Sequence, residues 1–159
     1  MERMVSVLRD RRAGFFLVNP MGTYKGYGAY VGLSPYKEIA AGAGPNRLGE
    51  IVTELLARSG PTGVAFSEAK AHQQETSDAE TVRIRRDHLD RLKTTEQLSR
   101  RFLRARVTTT DRKKSWLITA FRFDPKRDSL VGEKEEIRVK QTEGAAGLGE
   151  ALLRSLSLE

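Results

Sequence analysis

The chain has no cysteine among its 159 residues, which excludes disulfide bonds, thiolate metal sites and a cysteine nucleophile. Histidine is scarce too: His72 and His88 lack the spacing of a metal site, and we expect His88 on a solvated helix face. No apolar run is long enough to span a membrane, and the apolar stretch at residues 14–18 is too short for the core of a signal peptide. These absences predict a cytoplasmic protein.

The motifs of catalysis and cofactor binding are lacking as well. Gly26-Tyr27-Gly28 is an isolated Gly-x-Gly, without the third glycine of a dinucleotide fingerprint and without a helix opening behind it. No serine has a Gly-x-Ser-x-Gly context. His88, Asp87 and Glu96 offer an acid and a base, but not at a diagnostic spacing. We therefore expect a protein that is not an enzyme and that has no metal or cofactor.

Positive charge is present in excess, and it is concentrated in one region. The net charge is +7, and residues 82–115 contain 12 basic and 4 acidic side chains. Arginine outnumbers lysine there, which suits bidentate contacts with carboxylates or phosphates. Such a region binds nucleic acid, binds an acidic protein, or serves solubility alone. The basic residues of this region that are candidates for partner binding are Arg83, Arg85, Arg86, Arg91, Arg100, Arg101, Arg104, Arg106, Arg112, Lys113 and Lys114.

One short phrase occurs twice, 100 residues apart. Leu-Gly-Glu stands at residues 48–50 and again at 148–150, and each copy starts an apolar row at i, i+4 and i+8. Ile39 and Val139 each lie nine residues before the phrase, so the sequence predicts two similar strand–loop–helix units. A glycine in the first helical turn costs about 1 kcal/mol relative to alanine. Either another backbone, such as a sheet, packs against each glycine, or the glycines are merely tolerated near a helix end.

Periodicity and turn residues predict a single α+β domain over residues 1–159, with helices packed on a largely antiparallel or mixed sheet. Residues 61–79 are interpreted as a long connection. We expect Asn46 to cap the first helix, Asp78 the second, and Thr94, in a capping box with Gln97, the third. The predicted strands are residues 14–18, 27–31, 36–40, 116–123, 129–131 and 135–140, and the predicted helices are residues 47–58, 78–92, 95–106 and 148–158. Within the second helix, residues 82–85 could equally form a short strand.

Two groups of side chains are candidates for partner binding. On the predicted helix 95–106, Arg100 and Arg104 share a face with Arg101 beside them, and like charges at this spacing repel unless a partner uses them. A solvated helix face is the alternative. In the glycine- and tyrosine-rich residues 21–33, a stacking or protein-contact surface is an alternative to plain turn structure. The candidate residues are Tyr24, Lys25, Tyr27, Arg83, Arg86, Arg100, Arg101 and Arg104.

Residues 136–139 lead into Leu-Gly-Glu-Ala-Leu-Leu-Arg-Ser-Leu at 148–156. In this segment above all, the chain resembles the immunity proteins of bacterial contact-dependent growth inhibition systems. Asn-Arg-Leu-Gly-Glu at 46–50, and residues 94–103 followed by 116–123, are also similar. The resemblance covers about half of the chain, and the glycine- and tyrosine-rich residues 21–33 depart from it. It implies a cytoplasmic inhibitor that binds the toxic C-terminal domain of an effector, often a nuclease.

The positive charge of the chain affects what kind of toxin surface it can bind. Such inhibitors are commonly acidic against basic nucleases, whereas this chain is basic. We therefore expect either a toxin with an acidic interface or a local acidic patch on this chain, formed by Glu133, Glu135, Glu136 and Glu143. The alternative function is nucleic-acid binding through the region Arg83–Lys114, and a weaker one is an uncharacterised hydrolase.

Overall fold

One sheet runs through the fold, which the computed structural model describes over residues 2–110, 114–132 and 136–157. Alternating side chains send one set of residues to each face of this sheet. The strands are β1 (Glu2–Asp10), β2 (Phe16–Lys25), β3 (Val31–Gly32), β4 (Lys37–Ile39), β5 (Gly60–Ala65), β6 (Phe102–Thr110), β7 (Ser115–Asp124), β8 (Ser129–Gly132) and β9 (Ile137–Lys140).

Two long helices follow the outer strands of the two halves, and a group of shorter helices lies between them in the sequence. The helices α1 (Pro45–Leu56) and α5 (Gly144–Ser155) each follow a strand, as the duplicated phrase predicts. Between them lie α2 (Ala69–Thr76), α3 (Ala79–Ile84), a π-helical turn (Arg85–Leu89) and α4 (Thr95–Arg101). We call residues 57–101 the insert.

The strand order is β3–β2–β1–β6–β7–β8, with β4 and β5 also paired to β2 and β9 also paired to β7. Within the described residues the pairings are antiparallel, except that β5 runs parallel to β2. The expected α+β fold is confirmed, and its sheet is largely antiparallel.

Apart from the pairing of β5, the two halves of the chain have the same strand pairings at an offset of 100 residues. Ser6 pairs with Asn19 and Arg106 with Thr119, and the outer strands follow the same rule. At the centre of the sheet Ser6 pairs with Arg106, which is its own counterpart at the 100-residue offset. A pseudo-two-fold axis therefore passes between β1 and β6. The further matched pairs are Phe16–Ile39 with Trp116–Val139, and Met21–Gly32 with Phe121–Gly132.

One face of the sheet is covered by α1 and α5, which form the main core. The two halves contribute apolar side chains from matching positions, so the core is also nearly symmetric. Matched buried pairs are Val5 and Ala105, Val7 and Val107, Phe16 and Trp116, Val18 and Ile118, Ile39 and Val139, Leu48 and Leu148, Val52 and Leu152, and Leu56 and Leu156.

The opposite face is covered by the insert over the first half. Ile84 of α3 is buried against Leu8, Leu17 and Phe102 of the sheet, with Leu98 of α4 among the half-buried neighbours. The predicted caps of this region are confirmed: the N–H of Thr81 donates to Asp78 Oδ1 at 2.8 Å, and Thr94 forms a capping box.

Several sequence predictions are wrong in their boundaries. The helix expected to reach residue 106 ends at Arg101, because the chain from Phe102 pairs with β1 along its whole length. The strand predicted at residues 14–18 is β2, which continues to Lys25. The sequence did not predict β1. The interpreted connection at residues 61–79 contains most of β5 and all of α2. Of residues 27–31 only Val31 lies in a strand, as the first residue of β3. Gly44, not Asn46, is the N-cap of α1.

Candidate functional site

A cleft opens where β6 and β7 separate. Their pairing ends at Arg104 and Phe121, and the preceding residues of β6 do not pair with the last residues of β7. The cleft has a volume of about 710 Å³. Leu103, Ala120 and Leu156 line it with apolar surface, and Phe121 and Phe123 lie on its β7 side. We call it the cationic cleft because its lining includes Arg11, Arg100, Arg104 and Arg122.

The equivalent place in the first half is filled by β5. The pairing of β1 with β2 ends at Met4 and Met21, the counterparts of Arg104 and Phe121. Beyond that point Gly60 pairs with Gly22, and the hydroxyl of Ser59 accepts a hydrogen bond from the N–H of Met4 at 3.1 Å. In the second half β8 pairs with the last residues of β7 on its other edge, and on the edge that faces β6 no described strand pairs with them. The cationic cleft is thus the open counterpart of a strand position.

A difference in side chains accompanies this asymmetry. Gly22 lies so close to β5 that an added Cβ would collide with the carbonyl group of Gly60. Its counterpart on β7 is Arg122, an exposed side chain on the lining of the cleft. The close backbone approach that needs glycine in one half has been replaced by a long cation in the other.

The electrostatic character of the cleft is positive. Glu96, the carboxylate on its lining, is already paired with Arg100 at 2.7 Å. Arg11 Nε donates to the carbonyl of Ser99 at 3.0 Å. Arg104 has no carboxylate within 4 Å among the described residues, and burial, reinforced by neighbouring Arg106, lowers its pKa. The charge of Arg104 is therefore available to an anion in the cleft.

Most of the cations proposed from the sequence are instead paired inside the protein. Arg83 lies 3.7 Å from Glu38 and 4.0 Å from Asp87, and Arg86 lies 3.0 Å from Asp87. Arg101 Nε donates to Asp10 at 3.3 Å, and its guanidinium lies over the ring of Phe102. These pairs tie the insert together and to the sheet.

The expected helical face of Arg100 and Arg104 does not exist, since Arg104 lies on β6. The two residues nevertheless meet on the lining of the cationic cleft. Sequence reasoning missed Arg11 and Arg122, which join them. Aligning the halves at the 100-residue offset would have indicated the second, because it places Arg122 opposite Gly22. Arg112 and Lys113 of the basic region lie outside the described residues.

The expectation of a solvated His88 is wrong. Its side chain is 16% exposed, and its ring centroid lies 4.8 Å from that of Phe15. Arg101 donates to His88 Nδ1 at 3.2 Å, so Nε2 carries the proton and donates to Glu38 at 2.9 Å. The imidazole therefore has a structural role between the insert and the sheet.

The tyrosine-rich candidates do not join the cationic cleft. Tyr24 is 3% exposed, its hydroxyl lies 2.8 Å from His72 Nδ1, and burial raises its pKa. Lys25 is exposed, and the exposed Tyr27 stacks on Phe66 at 4.5 Å between ring centroids. The binding role predicted for these three residues stays a prediction.

The acidic patch considered from the sequence is only partly described. Glu136 accepts from the hydroxyl of Thr119 at 3.3 Å, and Glu143 accepts from the backbone N–H of Lys140 at 2.8 Å. Glu133 and Glu135 lie outside the described residues. Among the residues that are described, no group of three or more His, Asp or Glu side chains is placed to hold a metal ion. No helix in the described ranges has the length and apolarity to cross a membrane.

Comparison with known proteins identifies the fold. No protein-family model and no curated protein matches the sequence. Among solved structures, a protein of unknown function from Neisseria meningitidis is similar at a TM-score of 0.67 and 16% identity, over 99% of this chain and 94% of that one. A chain of the CdiA-CT/CdiI toxin and immunity complex from Yersinia pseudotuberculosis is similar at a TM-score of 0.63 and 15% identity, over 99% of this chain and 97% of that one.

Proposed function

We propose that this protein is a cytoplasmic immunity protein that binds a toxin domain at the cationic cleft and blocks its activity. The observation that carries the proposal is the open strand position: β5 fills it in the first half, whereas in the second half no described strand pairs there and α4 lines the cleft. The shared fold with a component of a toxin and immunity complex supports the same function. The role is binding rather than catalysis.

The geometry of the cleft indicates what the partner presents there. An extended segment of the toxin would lie along the last residues of β7, as β5 lies along β2. Because Arg11 and Arg104 lack carboxylate partners among the described residues, acidic side chains on that segment would be neutralised on binding. The toxin surface is therefore acidic at this contact. The resemblance to contact-dependent immunity proteins implies a nuclease as the toxin.

Co-expression with the effector domain encoded by the neighbouring reading frame tests the proposal. The C-terminal toxin domain is expected to co-purify with this chain at about 1:1, and the chain should restore growth to cells that express the domain. Absence of both co-purification and protection would reject the proposed function.

Charge reversal tests the site itself. Arg11→Glu places a carboxylate on the lining of the cleft, and it should weaken toxin binding by about tenfold or more. Arg12→Glu is the matched control, because Arg12 is the exposed next residue but does not line the cleft. Equal binding by both variants would place the interface elsewhere. Retardation of DNA or RNA by the chain, with steep salt dependence, would favour the nucleic-acid alternative.

A further inference from the structure

A second, smaller cavity lies on the sheet face that the insert covers. Its volume is about 290 Å³, near the lower end of the range of small-molecule sites. Leu8 and Met21 form its apolar surface on the sheet side, and Leu89, Leu92 and Leu98 form it on the insert side. The three leucines of the insert are half-buried, and they pack against the cluster around Ile84 as well as lining this space.

Polar groups converge on the same cavity. Ser6 and Asn19 are paired neighbours on β1 and β2, and both side chains are buried. A Cβ built on Gly32 would lie 3.0 Å from the hydroxyl of Tyr36 and 3.1 Å from Asn19 Nδ2, which already donates to the carbonyls of Pro20 and Leu33. Burial raises the pKa of Tyr36, which keeps its hydroxyl protonated and able to donate.

A cation that has no carboxylate partner among the described residues completes the lining. Arg104 is the neighbour of Leu8 across the sheet, and it lines this cavity as well as the cationic cleft. Arg106 lies two residues along β6, and its Nε is buried with no hydrogen-bond acceptor among the described residues. Arg104 and Arg106 are two half-buried guanidinium groups on one sheet face, and no carboxylate in the described part of the chain neutralises them. They carry an electrostatic cost that an anion would relieve.

We propose that this cavity binds a small amphipathic carboxylate, with its charged end at Arg104 and its apolar body among the leucines. The apolar lining selects against inorganic phosphate, which gains nothing from Leu89, Leu92 and Leu98. The cation selects against a neutral molecule of the same shape. A straight-chain or aryl carboxylate of about ten non-hydrogen atoms matches both requirements and the size of the space. The proposal does not depend on the toxin-binding function.

Titration calorimetry on the purified full chain tests the proposal, with octanoate, octanamide and sodium phosphate as probes. Octanoate should bind saturably and raise the midpoint of thermal unfolding, because it binds the folded state alone. Octanamide and phosphate should bind at least about tenfold more weakly, since each lacks one of the two matched features. Equal binding of octanoate and octanamide, or no binding of octanoate at millimolar concentration, would overturn it.

Substitutions locate the charge that is used. Arg104→Gln should reduce octanoate affinity by about tenfold or more, while Arg104→Lys should retain most of it. Arg100→Gln is the matched control, because Arg100 lines the cationic cleft but not this cavity. If Arg104→Gln proves unstable, Leu92→Trp fills the space from the insert side and should abolish octanoate binding. Undiminished octanoate binding by a folded Leu92→Trp or Arg104→Gln variant would contradict the assignment.

Discussion

Gly49 of α1 and Gly149 of α5 occupy equivalent places in a helix crossing that is symmetric about the axis between the two halves. A Cβ on Gly49 would collide with the backbone of Ala145, and a Cβ on Gly149 would collide with the backbone of Pro45. The contacted residues, like the glycines, are 100 positions apart. The close approach explains the paired glycines, and the backbone that each one meets belongs to a helix rather than to the sheet.

We predict that Gly49→Ala and Gly149→Ala each destabilise the protein by about 1–3 kcal/mol, the usual cost of overpacking a close contact. Alanine favours a helix by about 1 kcal/mol relative to glycine, so a loss of stability would come from the crossing and not from helix propensity. Chemical denaturation measures the free energy of unfolding. Gly42→Ala is the control, because its Cβ would meet nothing within 4 Å, and it should change stability by less than about 0.5 kcal/mol. A stabilising effect of Gly49→Ala would show that the helices separate easily.

The repeated Leu-Gly-Glu phrase predicted the paired helices α1 and α5, but the sequence did not reveal the rest of the internal duplication. Core positions such as Val5 and Ala105, or Phe16 and Trp116, match in burial but not in residue type. A sheet face requires an apolar side chain of suitable volume rather than one identity, so matched structure left few identical residues.

The candidate site was harder to predict than the fold. Residues 102–106 continue a capping-box helix in pattern, but pairing with β1 decides their conformation, and that pairing joins residues about 100 positions apart. Arginines of the basic region proved to be paired with Asp10 and Glu38 from other parts of the chain and with Asp87 within the region. Sequence charge alone does not distinguish a paired arginine from one that faces a cleft.

Asp10 should make the stability of the fold depend on pH. Burial raises its pKa, but the N–H groups of Ala13 and Arg12 and the guanidinium of Arg101 outweigh this and bring the pKa below its usual value. A carboxyl whose pKa is lower in the folded state stabilises the protein above the unfolded-state pKa, about 3.9. That contribution is lost as the pH falls through the lowered value.

Two substitutions separate the roles of Asp10. Both N–H groups donate to Oδ1 and Arg101 donates to Oδ2, so Asp10→Asn can keep the turn while losing the ion pair. Asp10→Ala loses both and should cost more, about 1–3 kcal/mol at pH 7. Thermal unfolding from pH 7 down to pH 3 measures the difference between wild type and Asp10→Asn, which should shrink as the carboxyl is protonated. A difference that stays constant with pH would contradict the ionic role.

The capping box at Thr94 should control the helix that supplies Arg100 to the cationic cleft. The hydroxyl of Thr94 accepts from the N–H of Gln97 at 3.1 Å, and Gln97 Oε1 accepts from the N–H of Thr94 at 3.2 Å. Thr94→Ala removes the first bond and should cost about 1 kcal/mol. Thr95→Ala, one residue into the helix, should change the free energy of unfolding by less than about 0.5 kcal/mol. Equal losses from the two substitutions, measured by denaturant titration, would argue against the cap.

The asymmetry between Gly22 and Arg122 predicts different effects of substitution at the two strand positions, the one that β5 fills and the open one at the cationic cleft. Gly22→Ala adds a Cβ that collides with the carbonyl of Gly60, so it should displace β5 and destabilise the fold by about 1–3 kcal/mol. The change lies in the first half and leaves the cationic cleft intact, so a folded Gly22→Ala variant should bind the toxin domain as well as wild type. Gly28→Ala is the stability control, because a Cβ there would meet nothing within 4 Å. Toxin binding is measured as association and dissociation rates on immobilised protein, at a temperature well below the unfolding midpoint of the variant. Loss of toxin binding in a folded Gly22→Ala variant would place the partner at β5 instead of at the open position of the second half.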